Sequence, residues 1–260
     1  MKLSLIVPVY NSSEILNELV EEINLSLKET KLTGNFEILL INDYSYDDSW
    51  EIIKSLASQY KYVKGINLKE NFGQHNAIMA GLNYCSGERI ITLDDDLQHP
   101  PEFIINIYNK LDNFDVCYTY YKNRQHLRWK KIVSFLNNVI SSFLLNKPFY
   151  IYMSSFRGLK KDIVDNIIKF KEPNVYLDSL ILNSTKKIAM ITVNHNNRLK
   201  GESSYTFKKL LILWSNMVIN FSFYPLRIAS FFGIILQFLV KLIRKKNKKI
   251  QYSILEKTFL

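Results

Sequence analysis

Apolar runs alternate with amphipathic stretches along the first 120 residues of this chain. Four runs are almost continuously apolar: KLSLIVPVY (2–10), FEILLIND (36–43), VKGINL (63–68) and ERIITLDDD (88–96). Short apolar runs that do not alternate with polar residues are typical of strands buried on both faces of a sheet. The pattern therefore predicts four buried strands.

The stretches between these runs have helical periodicity. Residues 12–29, 45–60 and 73–87 each carry apolar side chains at helical spacing. We expect Ser12 or Ser13 to cap the first of these helices. Its predicted buried face consists of Ile15, Leu19, Ile23 and Leu27.

Buried strands that alternate with helices predict an α/β fold with a mainly parallel sheet flanked by helices. The acidic triplet Asp94, Asp95 and Asp96 would then follow the C-terminal end of a strand. Ligands of open α/β sheets bind at that edge. The pattern therefore predicts a ligand site around the triplet.

Beyond residue 120 the pattern loosens. It predicts a basic amphipathic helix over 128–145, a turn entering a helix over 154–170 and a late strand over 187–198. Residues 210–240 contain a single charge, Arg227, and the segment that follows is strongly basic. We therefore divide the chain into an α/β domain (1–206), a segment of amphipathic and short hydrophobic helices (207–243) and a basic tail (244–260).

The net charge of +10 conceals an asymmetry between the two parts of the chain. Residues 1–100 hold 8 Lys and Arg against 15 Asp and Glu, whereas residues 101–260 hold 26 against 9. A basic region of this kind suits an anionic membrane surface or a nucleic acid. No RNA-binding motif is present, so we expect no nucleic-acid partner. The two cysteines predict neither a disulfide framework nor a metal cluster.

The sequence LDDDLQHPPE gives the acidic triplet a chemical interpretation. Three adjacent carboxylates oppose one another's ionisation unless a positive group lies among them. Hard divalent cations prefer such oxygen ligands. If the segment is extended, Asp94, Asp96 and Gln98 share one face, and Asp95 points away and should tolerate replacement. The alternative is a solvated acidic loop.

Two other segments carry candidate binding residues. Asp43 could accept a hydrogen bond from a nucleobase N–H, with Asn42 orienting the loop, although Ser45, Asp47 and Asp48 could equally cap the next helix. Gly73 permits a close backbone approach, and the following helix would direct N–H groups toward a diphosphate. His75 on its own is more typical of a packed or surface histidine than of a catalyst.

Together and in this order, the motifs PVYN, INDYSYDDS, NFGQHNAIMAG, LDDDLQHPPE, SSFRGL and NNRLKGESSYTFKKLL resemble a known family. They are similar to family 2 glycosyltransferases that make polyprenyl-phosphate sugars, the branch of dolichol-phosphate mannosyltransferase and the undecaprenyl-phosphate sugar transferases. The resemblance extends to about residue 236. It implies a GT-A fold that binds a nucleotide-diphosphate sugar and Mg²⁺ or Mn²⁺.

The resemblance also implies roles for individual residues. The nucleotide-sugar site would include Pro8, Tyr10, Asn42, Asp43, Gly73, Gln74 and Asp94. The cation would be held by Asp94, Asp96 and Gln98. Arg157 and Arg198 match arginines placed near phosphates, and the groups expected to serve catalysis are Asp96, Arg157 and Asp178.

The chain departs from the family pattern at several positions. Ser155 stands where some relatives carry an aspartate proposed as the base or as an acceptor-site group, and Asp178 is the carboxylate we consider in its place. Ser204 replaces a common lysine, a contact that Lys200, Lys208 or Lys209 could supply. Glu70 stands where arginine is common.

The resemblance implies an inverting transfer from a nucleotide sugar, for which we expect a UDP-sugar, to a polyprenyl phosphate at the cytoplasmic face of the cell membrane. The uncharged segment 228–240 is short of the ~20 residues that span a bilayer, and 207–224 is typical of an interfacial helix. These helices could instead form a soluble core or a homo-oligomer interface. Alternative functions are transfer to a surface glycan or lipid-linked saccharide, and non-catalytic binding of a nucleotide sugar at a membrane.

Overall fold

This computed structural model describes residues 1–121, 142, 148, 151–173 and 175–193. The strands in these residues are β1 (Leu3–Val9), β2 (Phe36–Asn42), β3 (Val63–Asn67), β4 (Arg89–Thr92), β5 (Val116–Tyr121), β6 (Arg157–Lys160) and β7 (Ile188–Val193). The helices are α1 (Leu16–Leu27), α2 (Ser49–Gln59), α3 (Gln74–Tyr84), α4 (Ile104–Lys110), α5 (Lys161–Ile167) and α6 (Leu177–Ser184), with a 3₁₀ turn at Pro101–Phe103.

The strands form one sheet in the order β3-β2-β1-β4-β6-β5-β7. The pairs β3–β2, β2–β1, β1–β4 and β5–β7 are parallel, whereas β6 is antiparallel to both of its neighbours. The predicted mainly parallel α/β sheet with flanking helices is confirmed. We call the edge at which β1 to β4 end the carboxyl edge.

The segment before α5 was predicted as a turn, and that prediction is wrong because Arg157–Lys160 forms β6. Strand β6 has only four residues, and one of them is glycine, so the sequence contains no apolar run that would predict it. Its pairing with β4 and β5 defines the strand. Close packing against α4 explains why a glycine occupies position 158. A Cβ at Gly158 would lie 2.4 Å from Cγ2 of Ile107 on α4, so a larger residue would push this helix away.

Helices cover both faces of the sheet. One core cluster combines inward side chains of β1 and β2 with those of α1, α2 and α4, including Leu19, Ile53 and Ile104. The second combines the opposite side chains of the strands with those of α3, α5 and α6, including Ile78 and Leu177. Strands buried on both faces explain why β1 and β2 are continuously apolar.

The start of α1 differs from the prediction. The helix begins at Leu16 and neither Ser12 nor Ser13 caps it. Instead, the backbone N–H of Ser12 donates to Oγ of Ser49, and that of Ser13 donates to Oδ2 of Asp47. These bonds join the loop after β1 to the loop after β2 and to the start of α2, and this use of the serines competes with capping.

Several predictions concern residues outside those that the structure describes. They include the basic helix at 128–145, Arg198, and the divisions 207–243 and 244–260. In the described part of the chain, no helix combines the length and hydropathy needed to span a membrane.

A buried carboxylate fixes the edge of the sheet opposite the carboxyl edge. Glu37 is fully buried and accepts hydrogen bonds from Oγ of Ser4 (2.6 Å), Nζ of Lys64 (2.6 Å) and the N–H of Ser86 (2.6 Å). Burial acts to raise the pKa of Glu37, but these donors outweigh it and lower the pKa from 4.5 to about 2. One side chain thus connects β1, β2, β3 and the loop before β4.

We predict that Glu37→Gln destabilises the fold by about 3 kcal/mol at pH 7, because it leaves buried donors facing a neutral amide. The folded-state pKa of Glu37 is depressed, so its contribution is complete above about pH 4.5 and is lost as the pH falls toward about 2. Urea unfolding between pH 2 and pH 7 measures this.

The matched control is Glu51→Gln, which removes an exposed ion pair with Lys54 on α2. It should change the free energy of unfolding by less than about 0.5 kcal/mol. A Glu37→Gln variant that keeps the acid dependence of the wild type would contradict the prediction.

Candidate active site at the carboxyl edge

Three parallel strands bring the predicted site residues to one edge. Tyr10 follows β1, Asp43 follows β2 and Asp94 follows β4, and β1 pairs with both of the other strands. Because parallel strands end at the same edge, side chains far apart in sequence meet there. Pro8 lies buried within β1, whereas 45% of Tyr10 is exposed.

The acidic triplet lies on a turn. Strand β4 ends at Thr92, and Leu97 has a φ of 58°, in the left-handed region. The assumption that the strand continues through the triplet is therefore wrong, and the alternation of side chains deduced from it does not apply. A left-handed leucine is uncommon and costs local strain, which the surrounding contacts must offset.

Asp94 is held by donors from two other segments. Its Oδ1 accepts from Nε2 of Gln74 at 2.6 Å, and its Oδ2 accepts from Oγ of Ser155 at 2.7 Å. Its backbone N–H donates to Nδ1 of His99, whose ring stacks on Phe156 with centroids 5.1 Å apart. The carboxylate is thus oriented before any ligand binds.

Asp95 points toward the loop after β1. Its Oδ2 accepts from the N–H of Tyr10 at 3.1 Å and from Oγ of Ser12 at 2.5 Å. Burial raises the pKa of Asp95 to about 6, and the neighbouring carboxylates of Asp94 and Asp96 act in the same direction. The expectation that Asp95 is replaceable is not supported by these contacts, because it joins β4 to β1.

Asp96 and Gln98 belong to the same turn. Oδ1 of Asp96 accepts from the backbone N–H of Gln98 at 3.1 Å, and both side chains are partly exposed. Within the described residues, no group of three His, Cys, Asp or Glu side chains is arranged to hold a metal. The candidate set of Asp94, Asp96 and Gln98 has two carboxylates and an amide, and these hard oxygen donors fit Mg²⁺ or Mn²⁺ when a bound diphosphate and water complete the shell.

Asp43 connects β2 to the start of α3. Its two carboxylate oxygens accept from the N–H groups of Phe72 and Gly73, both at 2.8 Å. Burial raises the pKa of Asp43, although these two bonds oppose the shift. Asn42 accepts from the N–H of Ser45 at 3.3 Å, which holds the adjoining loop. A contact from Asp43 to a nucleobase stays a prediction and would use lone pairs that these bonds leave available.

Arg157 and Asp178, predicted separately, form a buried ion pair. Arg157 is 2% exposed and Asp178 is 8% exposed. Oδ1 of Asp178 also accepts from the hydroxyl of Tyr118 at 2.8 Å. Burial acts to lower the pKa of Arg157, but Asp178 together with Tyr118 and Tyr176 outweighs burial and raises the arginine pKa. Each charge is offset by the other, so direct contact of either with a phosphate or acceptor stays a prediction.

Sequence reasoning missed several residues that build this site. Ser155, treated as a missing aspartate, donates to Asp94. The hydroxyl of Thr92 donates to the carbonyl of Ser155 at 2.5 Å and lies 3.4 Å from Nε of Arg157. Single serines and threonines carry no pattern, so only the pairing of β4 with β6 reveals this connection.

Comparison with known proteins identifies the family to which this chain belongs. The model of the family described as glycosyl transferase family 2 matches residues 4–168. The chain belongs to glycosyltransferase family 2. It is 35% identical over 237 residues to undecaprenyl-phosphate 4-deoxy-4-formamido-L-arabinose transferase of Enterobacter sp. (strain 638), covering 90% of this chain and 72% of that protein. The same identity holds over 234 residues with the enzyme of that name from Salmonella choleraesuis (strain SC-B67), covering 89% and 71%.

Solved structures place this glycosyltransferase in the GT-A fold. Glucosyl-3-phosphoglycerate synthase from Mycobacterium tuberculosis, in complex with Mn²⁺, UDP and glucosyl-3-phosphoglycerate, superposes with a TM-score of 0.58 at 14% identity, over 84% of this chain and 77% of that one. TarS of S. aureus (residues 1–349) with UDP-GlcNAc gives 0.55 at 21%, over 85% and 67%. At these identities the likeness shows the fold alone.

We predict that Asp95→Ala loosens the loop after β1, because the Tyr10 N–H and the Ser12 hydroxyl lose their acceptor. Hydrogen exchange in a peptide covering residues 9–13 should become faster, and stability should fall by about 1–2 kcal/mol. Ser12→Ala is the control, since it keeps the Tyr10 bond and should have a smaller effect. Unchanged exchange in Asp95→Ala would show that these bonds do not hold the loop.

We predict that Arg157→Met and Asp178→Asn each destabilise the protein by about 3–5 kcal/mol, because each leaves a buried charge without its partner. The double variant should cost much less than the sum of the two. Tyr118→Phe, which keeps the ion pair and removes one hydrogen bond, should cost about 1 kcal/mol. Urea unfolding of the four variants gives the coupling energy, and additive effects would rule out a coupled pair.

Proposed function

We propose that this glycosyltransferase moves a sugar from a UDP-sugar to a polyprenyl phosphate such as undecaprenyl phosphate, with inversion at the anomeric carbon. The observation that carries the proposal is the 35% identity, over 90% of this chain, with an enzyme named as an undecaprenyl-phosphate sugar transferase. This likeness extends well beyond residues 4–168, which the family model matches. The wider likeness favours a shared class of acceptor.

The donor assignment draws support from the carboxyl edge. The loops after β1, β2 and β4 converge there, and Asp43 fixes the beginning of α3 beside them. Two structures of the same fold contain UDP or UDP-GlcNAc. We infer that Tyr10 and Asp43 contact the nucleoside, and that Gly73 and Gln74 lie near the diphosphate.

The oxygens of Asp94, Asp96 and Gln98 would hold Mg²⁺ or Mn²⁺. A bound divalent cation would offset the negative charge on the departing nucleotide diphosphate. The chain's own part is to orient Asp94 in advance through Gln74 and Ser155, so little reorganisation is needed when the donor binds.

The acceptor phosphate needs little help to become a nucleophile, because it is already ionised near neutral pH. Its oxygen attacks the anomeric carbon on the side opposite the nucleotide diphosphate, and the bond from that carbon to the diphosphate oxygen breaks with the electron pair leaving on the nucleotide. This displacement needs no strong base. In the proposal, Asp178 therefore stabilises Arg157 behind the site, and Arg198 contacts a phosphate directly.

The proposed acceptor places the reaction at a membrane. Residues 101–260 carry an excess of 17 positive charges, which favours binding to anionic headgroups at the cytoplasmic face. The segment 207–243 would supply the apolar contacts of this association.

We predict that Asp96→Asn lowers sugar transfer by on the order of 100-fold or more while the fold is kept, because it removes one carboxylate of the cation site. The assay incubates the detergent-solubilised chain with undecaprenyl phosphate, Mg²⁺ or Mn²⁺, and radiolabelled UDP-sugars. The panel includes UDP-glucose, UDP-N-acetylglucosamine and the UDP derivative of 4-deoxy-4-formamido-L-arabinose. The product should be extractable into organic solvent and labile to mild acid.

Glu88→Gln is the matched control, because this exposed carboxylate lies at the start of β4, away from the carboxyl edge. It should transfer at the wild-type rate. Full activity of Asp96→Asn, or of the wild type in excess chelator, would overturn the metal site. Label that enters only a polysaccharide would overturn the lipid acceptor.

A further inference from the structure

His75 has a buried ring nitrogen that the proposed mechanism does not use. It is the second residue of α3, and its side chain is partly buried. Its Nδ1 is shielded from solvent and has no hydrogen-bond partner among the described residues. An unsatisfied buried polar group in a native structure calls for an explanation, because its desolvation is not compensated.

The position of the shielded nitrogen determines which tautomer is favoured. A neutral imidazole has one N–H donor and one acceptor nitrogen. A buried N–H without an acceptor costs about 1–3 kcal/mol, so the proton is better placed on Nε2. In the described residues Nε2 donates to no protein acceptor either, and because it is not one of the buried atoms that lack a partner, it is open to solvent or to a ligand. His75 therefore offers an N–H donor that the protein itself does not use.

The surroundings of His75 belong to the candidate site. The preceding residue, Gln74, donates to Asp94. The imidazole packs edge-on against the ring of Tyr176, with centroids 5.4 Å apart. Gly73 lies two residues before His75, and a Cβ built on it would meet no atom within 4 Å, so the space beside the start of α3 is open. A ligand oxygen can occupy that space.

The charge state of His75 determines which kind of interaction it can make with a ligand. Burial lowers the pKa of His75 to about 4, although the carboxylates of Asp178 and Asp94 act in the opposite direction. The imidazole is therefore neutral at pH 7 and serves as a hydrogen-bond donor without a charge. A phenylalanine ring could pack against Tyr176 equally well. The contact with Tyr176 therefore does not explain why this position has a ring with two nitrogens.

We propose that His75 is a substrate-binding residue whose Nε2–H donates a hydrogen bond to an oxygen of the bound nucleotide sugar. The acceptor oxygen belongs either to the β-phosphate or to a hydroxyl of the sugar attached to it. The inference rests on the proposed function, since it assumes a nucleotide-sugar donor at the carboxyl edge.

The test compares His75→Phe, which keeps a ring against Tyr176 without a donor, with His75→Gln, whose Nε2 keeps one. Calorimetry with Mn²⁺ measures the Kd of UDP, UDP-glucose and UDP-N-acetylglucosamine for each full-length protein. We expect His75→Phe to weaken binding roughly three- to tenfold, as the loss of one neutral hydrogen bond implies, and His75→Gln to stay close to the wild type. Weaker binding of UDP itself would assign the acceptor to the phosphate, and weaker binding of the sugar nucleotides alone would assign it to a sugar hydroxyl.

Equal affinities of His75→Phe and wild type for all three ligands would overturn the inference while leaving the proposed function intact. A wild type that binds none of them would overturn the UDP-sugar donor, and the inference with it. If His75→Phe does not fold, long-range ¹H–¹⁵N spectra of the wild type test the proposal, because they show which ring nitrogen carries the proton. The chain has four histidines, and the signal that is missing in His75→Gln belongs to His75. We expect a proton on Nε2 whose ¹⁵N shift moves on ligand binding, and a proton on Nδ1 or an unmoved shift would refute the proposal.

Discussion

Repulsion among Asp94, Asp95 and Asp96 is the constraint around which the carboxyl edge is built. Three adjacent carboxylates cannot share one direction without a compensating positive group. The turn after β4 separates them: Asp94 faces Gln74 and Ser155, and Asp95 faces Tyr10 and Ser12. The left-handed backbone at Leu97 belongs to this turn. Neighbouring loops thus supply the donors that keep the carboxylates in place.

The donors to these carboxylates also hold the sheet edge together. Asp95 ties β4 to the loop after β1, Asp43 ties β2 to the start of α3, and Asp94 ties α3 to the segment before β6. These hydrogen bonds orient the carboxylates before a ligand binds. In the proposed reaction, carboxylates that are already oriented would hold, with little reorganisation, the divalent cation that offsets the charge on the departing nucleotide diphosphate.

Behind this edge, Arg157 and Asp178 bury opposite charges against each other. Such a pair adds little net stability compared with apolar residues, but it is costly to break. Thr92 connects it to the acidic turn, since its hydroxyl contacts both the Ser155 carbonyl and the Arg157 guanidinium. His75 lies near the pair and near Asp94. The buried charges and the carboxyl edge therefore form one connected polar region.

The sequence by itself determined the α/β class, four of the strands and the grouping of acidic residues at one edge, because continuous apolar runs and strand ends leave local patterns. The family resemblance drew attention to Arg157, and Asp178 was considered as an available carboxylate, but neither was predicted to be the partner of the other. Strand β6, the role of Ser155, the contacts of Asp95 and the unpartnered nitrogen of His75 were decided only by the tertiary structure. The reason is physical: each depends on contacts between segments far apart in the chain, such as Ser155 and Asp94, or on the surroundings of a single side chain, and neither leaves a periodic signal in the sequence.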